Sequence, residues 1–202
     1  TLGNIAALTQ RNLARLLAYS SIAQAGYILI AFSLPSGKAL ELGLVGGLFH
    51  VLNHAIMKSA AFLVLALVVQ YSKRYDLDYF DGFSQRAPLT AFNFTIALLA
   101  LAGIPPLSGF WSKFLLFSAA IEADMAWLAL AGILNSALSL AYYIMIIKRM
   151  YIDEAKENSK FPEPLTYKLI LTFSTFLIIL LGIFPDIVIN YAQLAVKGLL
   201  RI

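Results

Sequence analysis

The chain contains no cysteine. Without thiols it can form no disulfide, no thiolate metal site and no cysteine-ligated iron–sulfur cluster. The pattern Gly-x-Gly-x-x-Gly, which cradles the phosphates of dinucleotides, is also missing. We therefore expect no cofactor in this chain and no oxidation or reduction carried out by the chain alone.

Charged residues are scarce as well, which excludes an ordinary soluble domain. They make up 13% of the chain against 60% hydrophobic residues, and the mean hydropathy is +0.80. Soluble domains hold about 25% charged and 45–50% apolar residues. Apolar runs of about 17 to 32 residues recur along the chain, and such lengths cross about 30 Å of hydrocarbon. The sequence predicts an all-α, polytopic transmembrane helix bundle in the cell membrane or an energy-transducing inner membrane.

We predict about five or six spans in a single membrane domain, residues 1–202. The apolar segments cover roughly residues 16–33, 39–71, 89–121, 125–147 and 169–184. Residues 186–202 are amphipathic, and we expect them to form a tail at the membrane interface. The net charge of +4 is spread over loops, so we expect no nucleic-acid partner.

The opening residues 1–8 read as the end of an apolar helix cut partway. We therefore expect the chain to be a C-terminal fragment of a longer protein.

The segment 89–121 is interrupted by Gly103, Pro105, Pro106 and Gly109, which together cannot continue a regular helix. Two short spans and one broken span both fit this pattern. Two spans divide the basic loop residues almost evenly across the membrane, whereas one broken span places ten on one side and three on the other. Because such a bias sets membrane orientation, we predict one discontinuous helix, with the ten basic residues on the cytoplasmic side.

Two histidines and a lysine share one face of the second apolar segment. His50, His54 and Lys58 follow one another at intervals of four residues, which stacks them along a helix. A charge at the bilayer centre costs about 2.5–3.5 kcal/mol on insertion scales, so such residues usually have a function. Lys113 comes directly after the helix break, and discontinuous helices commonly form ion sites in transporters. We interpret these four residues as a pathway for protons or cations.

Lysine and histidine suit proton transfer because desolvation favours a neutral amine and imidazole titrates near neutral pH unaided. One alternative is that the lysines snorkel to the interface. Lys58 lies about 19 Å from the nearer end of its segment, and its side chain reaches only about 6 Å. The histidines could instead serve packing. The pair could also hold zinc, but no third acidic or cysteine ligand is nearby, so we expect no metal.

Three strings of the sequence resemble the antiporter-like membrane subunits of respiratory complex I. The same strings resemble related subunits of membrane-bound hydrogenases and of multisubunit Mrp-type sodium/proton antiporters. The strings, in chain order, are QRNLARLLAYSSIAQAGY at 10–27, HVLNHAIMK at 50–58 and AGIPPLSGFWSK at 102–113.

In that family each of two inverted five-helix repeats contains a discontinuous helix, and buried lysines joined by histidines and water form a half-channel. The resemblance implies that Lys58 and Lys113 belong to this lysine series, that His50 and His54 connect them, and that the chain holds mainly the second repeat. The family usually has a lysine just before the arginine of the first string. Here Ala14 stands at the position of that lysine and is followed by Arg15. Either Arg15 compensates for the missing lysine or the link to the first half-channel is altered.

Residues and resemblance together predict a proton-translocating, non-catalytic membrane subunit of a redox-driven, NADH-quinone oxidoreductase-like complex. We expect its partners to be other membrane subunits of a complex I-like, hydrogenase or antiporter assembly, the lipid bilayer, and protons or sodium ions. Two alternatives stay open: a subunit of a multisubunit cation/proton antiporter without redox activity, and a helical scaffold in which the lysines have no function.

Overall fold

A computed structural model describes residues 1–155 and 159–200 of the chain. All regular elements in these residues are helices, so the predicted all-α class is confirmed. A short 3₁₀ helix, Leu77–Phe80, lies between α3 and α4. The α-helices are α1 (Leu2–Leu8), α2 (Leu13–Phe32), α3 (Lys38–Ser72), α4 (Phe83–Arg86), α5 (Pro88–Ala102), α6 (Ser108–Glu122), α7 (Ala126–Tyr151), α8 (Leu165–Ile183) and α9 (Asp186–Leu200).

Four of the described helices, α2, α3, α7 and α8, are long and apolar enough to cross a membrane. Helices α5 and α6 have 15 residues each. At 1.5 Å per residue each is about 22 Å long, shorter than the roughly 30 Å of a hydrocarbon core. Neither helix therefore crosses the membrane alone, and the pair together adds a fifth span to the other four.

Helices α5 and α6 follow one another along α3 in the same direction. The side chain of Asn53 donates to the carbonyl of Ser108 at the start of α6 (2.9 Å), and Gly46 packs against Leu116 further along. Helix α6 therefore runs antiparallel to the N-terminal half of α3. Residues of α5 such as Phe94 share an apolar cluster with the C-terminal half of α3, which includes Val64. The arrangement is one discontinuous crossing, as predicted.

The break has a local cause at each end. Gly103 ends α5 with φ = 87°, a left-handed conformation that favours glycine. Gly109 lies so close to the carbonyl of Ala100 that a Cβ at this position would collide with the carbonyl oxygen. Pro105 and Pro106 lie between the two glycines and prevent α5 from continuing.

Helix α8 packs directly on the break. A Cβ at Gly182 would collide with the carbonyl of Pro106, and the indole nitrogen of Trp111 donates to the carbonyl of Gly182 at 2.7 Å. Near the other end of α8, Tyr167 bonds to Gln70 of α3 at 3.0 Å. The broken crossing is thus enclosed between α3 and α8.

Arg149 and Lys38 lie at opposite ends of the bundle. At one end the Arg149 guanidinium donates to Asp78 (2.7 Å) and Asp81 (2.9 Å) in the linker that follows α3. At the opposite end Lys38 pairs with Glu122 at 3.0 Å. This separation agrees with the uneven distribution of basic residues that predicted a single broken span. Lys156 and Arg201, which entered that distribution, lie outside the described residues.

The predicted amphipathic tail forms α9. Ala192 and Val196 are buried against Val45 of α3, while Tyr191 on another face is exposed. Residues 201–202 of the tail lie outside the described part of the chain. The position of α9 at the membrane interface stays a prediction.

Candidate functional site

Lys58 lies in the middle of α3 and is buried, with 7% of its surface exposed. Its Nζ donates a hydrogen bond to the hydroxyl of Ser20 on α2. The Ser20 hydroxyl in turn donates to the carbonyl of Leu17, 2.8 Å away. The amine therefore ends on a neutral oxygen atom of a neighbouring helix, and not at a bundle end as snorkelling requires.

Lys113 lies in the second turn of α6 and folds back onto the helix break. Its Nζ donates to the carbonyls of Leu101 and Ala102, both at 3.0 Å, and to the hydroxyl of Ser136 on α7 at 2.8 Å. It also lies 4.7 Å from the centre of the Tyr27 ring. The two carbonyls belong to the last turn of α5, whose oxygen atoms lack helical partners. The end of α5 therefore supplies two of the hydrogen-bond acceptors for the Lys113 amine.

His50 is fully buried between α2 and α6. Its Nδ1 lies 2.9 Å from the hydroxyl of Ser112, and its Nε2 lies 3.0 Å from Oε1 of Gln24. The amide nitrogen of Gln24 donates at 3.0 Å to Leu101, the same carbonyl that accepts from Lys113. His50 and Lys113 are therefore joined through one amide side chain and one backbone carbonyl.

His54 is placed differently from His50. It is half-buried, and its Nδ1 is buried without a hydrogen-bond partner among the described residues. The structure brings His50 into contact with the surroundings of Lys113, but it gives the His54 ring nitrogen no such contact. A role for His54 between the lysines stays a prediction.

The sequence did not single out the neutral partners of these groups. Ser20, Gln24 and Tyr27 lie at helical spacing in α2, so a polar edge in an apolar helix was the available signal. Ser112 carried no comparable signal beyond its position beside a lysine. Ser136 carried none, because only the packing of α7 against α6 brings it to Lys113.

The polar groups of this site are better suited to proton transfer than to metal binding. The two lysine amines, the His50 imidazole and the serine hydroxyls each lie within hydrogen-bond distance of another polar group. Each of them can donate a hydrogen bond in at least one protonation state. Within residues 1–155 and 159–200, no group of three or more histidine, cysteine, aspartate or glutamate side chains is placed to hold a metal ion.

The chain matches known proteins over most of its length. A family model described as "NADH:quinone oxidoreductase/Mrp antiporter, TM" matches residues 1–139. NADH-quinone oxidoreductase subunit N 1 of Chloroherpeton thalassium is 41% identical over 191 residues, covering 95% of this chain and 39% of that protein. F(420)H(2) dehydrogenase subunit N of Methanosarcina mazei is 41% identical over 208 residues, covering 98% of this chain and 41% of that protein.

A chain of respiratory complex I from Thermus thermophilus, solved with bound aureothin, has the same fold. It is 33% identical with a TM-score of 0.78, covering 93% of this chain and 42% of that chain. The present chain therefore spans about two fifths of the length of these relatives. As its motifs predicted, the chain belongs to the transmembrane family shared by NADH:quinone oxidoreductases and Mrp antiporters.

Proposed function

We propose that the chain is a proton-translocating part of a membrane subunit in a redox-driven oxidoreductase of the complex I type. Two relatives at 41% identity are subunits N of an NADH-quinone oxidoreductase and of an F(420)H(2) dehydrogenase, which supports a redox-driven assembly. The observation that carries the proposal is the position of Lys113, a buried amine bonded to the freed carbonyls of a broken helix.

The surroundings of Lys113 suit either protonation state. The C-terminal carbonyls of α5 carry partial negative charge and stabilise an ammonium, whereas burial stabilises the neutral amine. The Ser136 hydroxyl, 2.8 Å away, accepts from the ammonium and can donate to the neutral amine. Because these effects oppose one another, a change in the local electric field can shift the balance toward either protonation state.

Helix α2 gives the titratable groups an order. At successive turns of this helix, Ser20 contacts Lys58, Gln24 contacts His50, and the Tyr27 ring lies beneath Lys113. Protons would therefore pass between Lys58 and Lys113 by way of His50. The buried hydroxyl of Tyr27 has no hydrogen-bond partner among the described residues, and we expect water at such positions.

This chain holds no dinucleotide fingerprint and no cysteine, so redox energy would be released on other subunits. That energy would change the electric field at these groups. The partners proposed are the other membrane subunits of the assembly, and the transported ion is the proton. Any cofactors lie on those other subunits.

The test is proton translocation by the assembled complex in proteoliposomes. We expect Lys58→Ala and Lys113→Ala each to lower the number of protons moved per electron pair. Lys148→Ala serves as the control, because this lysine is 58% exposed and pairs with Asp153 at a helix end. Unchanged stoichiometry in both interior variants contradicts the proposal. Sodium-dependent proton exchange without an electron donor would assign the chain to an antiporter instead.

A further inference from the structure

Both ring nitrogens of His50 are bonded by side chains, and each side chain comes from a different helix. Gln24 of α2 lies at Nε2 and Ser112 of α6 lies at Nδ1. Titratable groups on the helices around this ring include Lys113 on α6, Tyr27 on α2 with its ring 5.9 Å from the imidazole, and two members of α3 itself. Those two members are His54 and Lys58.

The orientation of the Gln24 amide follows from the helix break. The carbonyl of Leu101 can only accept, so the amide nitrogen of Gln24 faces it at 3.0 Å. The amide oxygen then faces His50 Nε2, also at 3.0 Å. Because an amide oxygen can only accept, Nε2 must carry a hydrogen atom. A neutral His50 therefore has no hydrogen on Nδ1.

Ser112 can satisfy His50 in both charge states. Its Oγ lies 2.9 Å from His50 Nδ1 and 3.2 Å from the carbonyl of Gly109. When His50 is neutral, the hydroxyl hydrogen points to Nδ1. When His50 is protonated, Nδ1–H donates to Oγ and the hydroxyl hydrogen turns to the Gly109 carbonyl. Uptake of a proton adds one N–H bond at Nδ1 and breaks no bond to Gln24.

We propose that Gln24 is a positioning residue that fixes His50 in the Nε2–H tautomer, so that His50 gains and loses its transferable proton only at Nδ1. The Ser112 hydroxyl relays that proton: Oγ–H passes its hydrogen to Nδ1 while Oγ takes up a replacement from a water molecule, and the reverse steps release it to water. The direction is set by the fold, because Nδ1 faces the helix that carries Lys113. This inference rests on the proposed function and adds the route by which one of its groups exchanges protons.

Nitrogen-15 NMR of the full-length protein in its complex, labelled at histidine, tests the tautomer directly. The His50 signals are assigned by their loss in His50→Asn. We expect neutral His50 to show a protonated-type resonance at Nε2 and an unprotonated-type resonance at Nδ1. A wild-type spectrum with the hydrogen on Nδ1 overturns the inference, whatever the variants do.

Gln24→Met keeps a side chain of similar length and removes both hydrogen bonds. We expect it to give a measurable population of the Nδ1–H form, since nothing then holds the hydrogen on Nε2. A purely structural Gln24 would lower the yield of folded complex and leave the tautomer unchanged. An unchanged tautomer in folded Gln24→Met therefore contradicts the positioning role.

Ser112→Ala separates the route from the tautomer. We expect the Nε2–H tautomer to persist in this variant. The rate of proton translocation should fall about tenfold or more, which is less than the full contribution of a positioned proton-transfer group. Ser174→Ala is the matched control, because Ser174 also donates to a carbonyl of its own helix, at 2.9 Å, but lies on the exposed face of α8. Normal translocation in Ser112→Ala overturns the route.

Failures of the two proposals are distinguishable. If Lys58→Ala and Lys113→Ala both translocate protons normally, the proposed function fails whichever tautomer is found. If Lys113→Ala stops translocation while His50 carries its hydrogen on Nδ1, the function stands and this inference fails alone.

Discussion

At the scale of single residues, both interior lysines end on neutral oxygen atoms. Lys58 contacts a serine hydroxyl, and Lys113 contacts two carbonyls and a second hydroxyl. In the described part of the chain no carboxylate forms an ion pair with either amine. A buried ion pair resists loss of its charge, because removing one charge leaves the other uncompensated. Neutral partners impose no such penalty, which suits groups that must exchange protons.

The hydroxyl at Lys58 gives a prediction with a closely matched control. Ser20 and Ser21 are neighbours on α2, and both donate to the carbonyl of Leu17, at 2.8 and 3.1 Å. Only Ser20 also accepts from Lys58. A hydrogen bond is worth about 1 kcal/mol, so we expect Ser20→Ala to slow proton translocation by about fivefold. The measurement is the initial rate of proton uptake into proteoliposomes.

Ser21→Ala should leave that rate within experimental error of wild type. Equal rates for the two alanine variants would show that the Lys58 contact has no part in transfer.

Single residues were predictable from sequence only where their type is out of place. Lys58, Lys113 and His50 stand out because they are polar or charged residues in apolar helices, and all three are buried. Their partners did not stand out, since serine and glutamine are common at helix contacts. Pro105 and Pro106 have no N–H for the carbonyls of Leu101 and Ala102, four residues earlier, but only the fold brings Gln24 and Lys113 to those carbonyls.

At the scale of elements, the break between α5 and α6 depends on close backbone approach. A Cβ at Gly109 would collide with the carbonyl of Ala100, which belongs to the end of α5. We expect Gly109→Ala to destabilise the protein by about 1–3 kcal/mol, as overpacking does elsewhere. Thermal unfolding of the purified complex measures this effect.

Gly198→Ala is the matched control for the break. Gly198 lies in α9, and nothing in the described structure lies within 4 Å of an added Cβ there. Unfolding at the same temperature in both glycine variants would contradict the role assigned to close packing at the break.

Long elements were predicted well, and short ones were not. The apolar segment at residues 39–71 corresponds to α3 (Lys38–Ser72), and the glycines and prolines located the interruption correctly. Helix α4 and the 3₁₀ helix before it were not predicted. Tertiary contacts hold this region, such as the hydrogen bond from the Gly82 amide to the Arg149 carbonyl at 2.9 Å. Hydrophobic periodicity carries no information about contacts of that kind.

At the scale of the whole molecule, Arg149 fastens the end of α7 to the linker after α3. Its guanidinium contacts Asp81, whose side chain is 8% exposed, and Asp78, whose side chain is 59% exposed. Breaking a buried ion pair is costly, whereas exposed pairs contribute little. We expect Asp81→Asn to lower the free energy of unfolding by about 2 kcal/mol and Asp78→Asn by about 0.5 kcal/mol.

Denaturant unfolding of the full-length protein in detergent would compare the two asparagine variants. Both aspartates contact the same guanidinium nitrogen, so the two variants compare the loss of a buried partner with the loss of an exposed one. A larger loss in Asp78→Asn than in Asp81→Asn would contradict this explanation.

The proposed function requires Lys58 and Lys113 to lie in a hydrated interior, away from lipid headgroups, where each can gain and lose a proton. A high-resolution cryo-EM map of the full-length protein in its complex tests it most directly. We expect ordered water and the side chains of Ser20, His50 and Ser112 to form an unbroken hydrogen-bonded chain between the two amine nitrogens. Dry aliphatic packing between them, or either nitrogen among lipid phosphates, would contradict it.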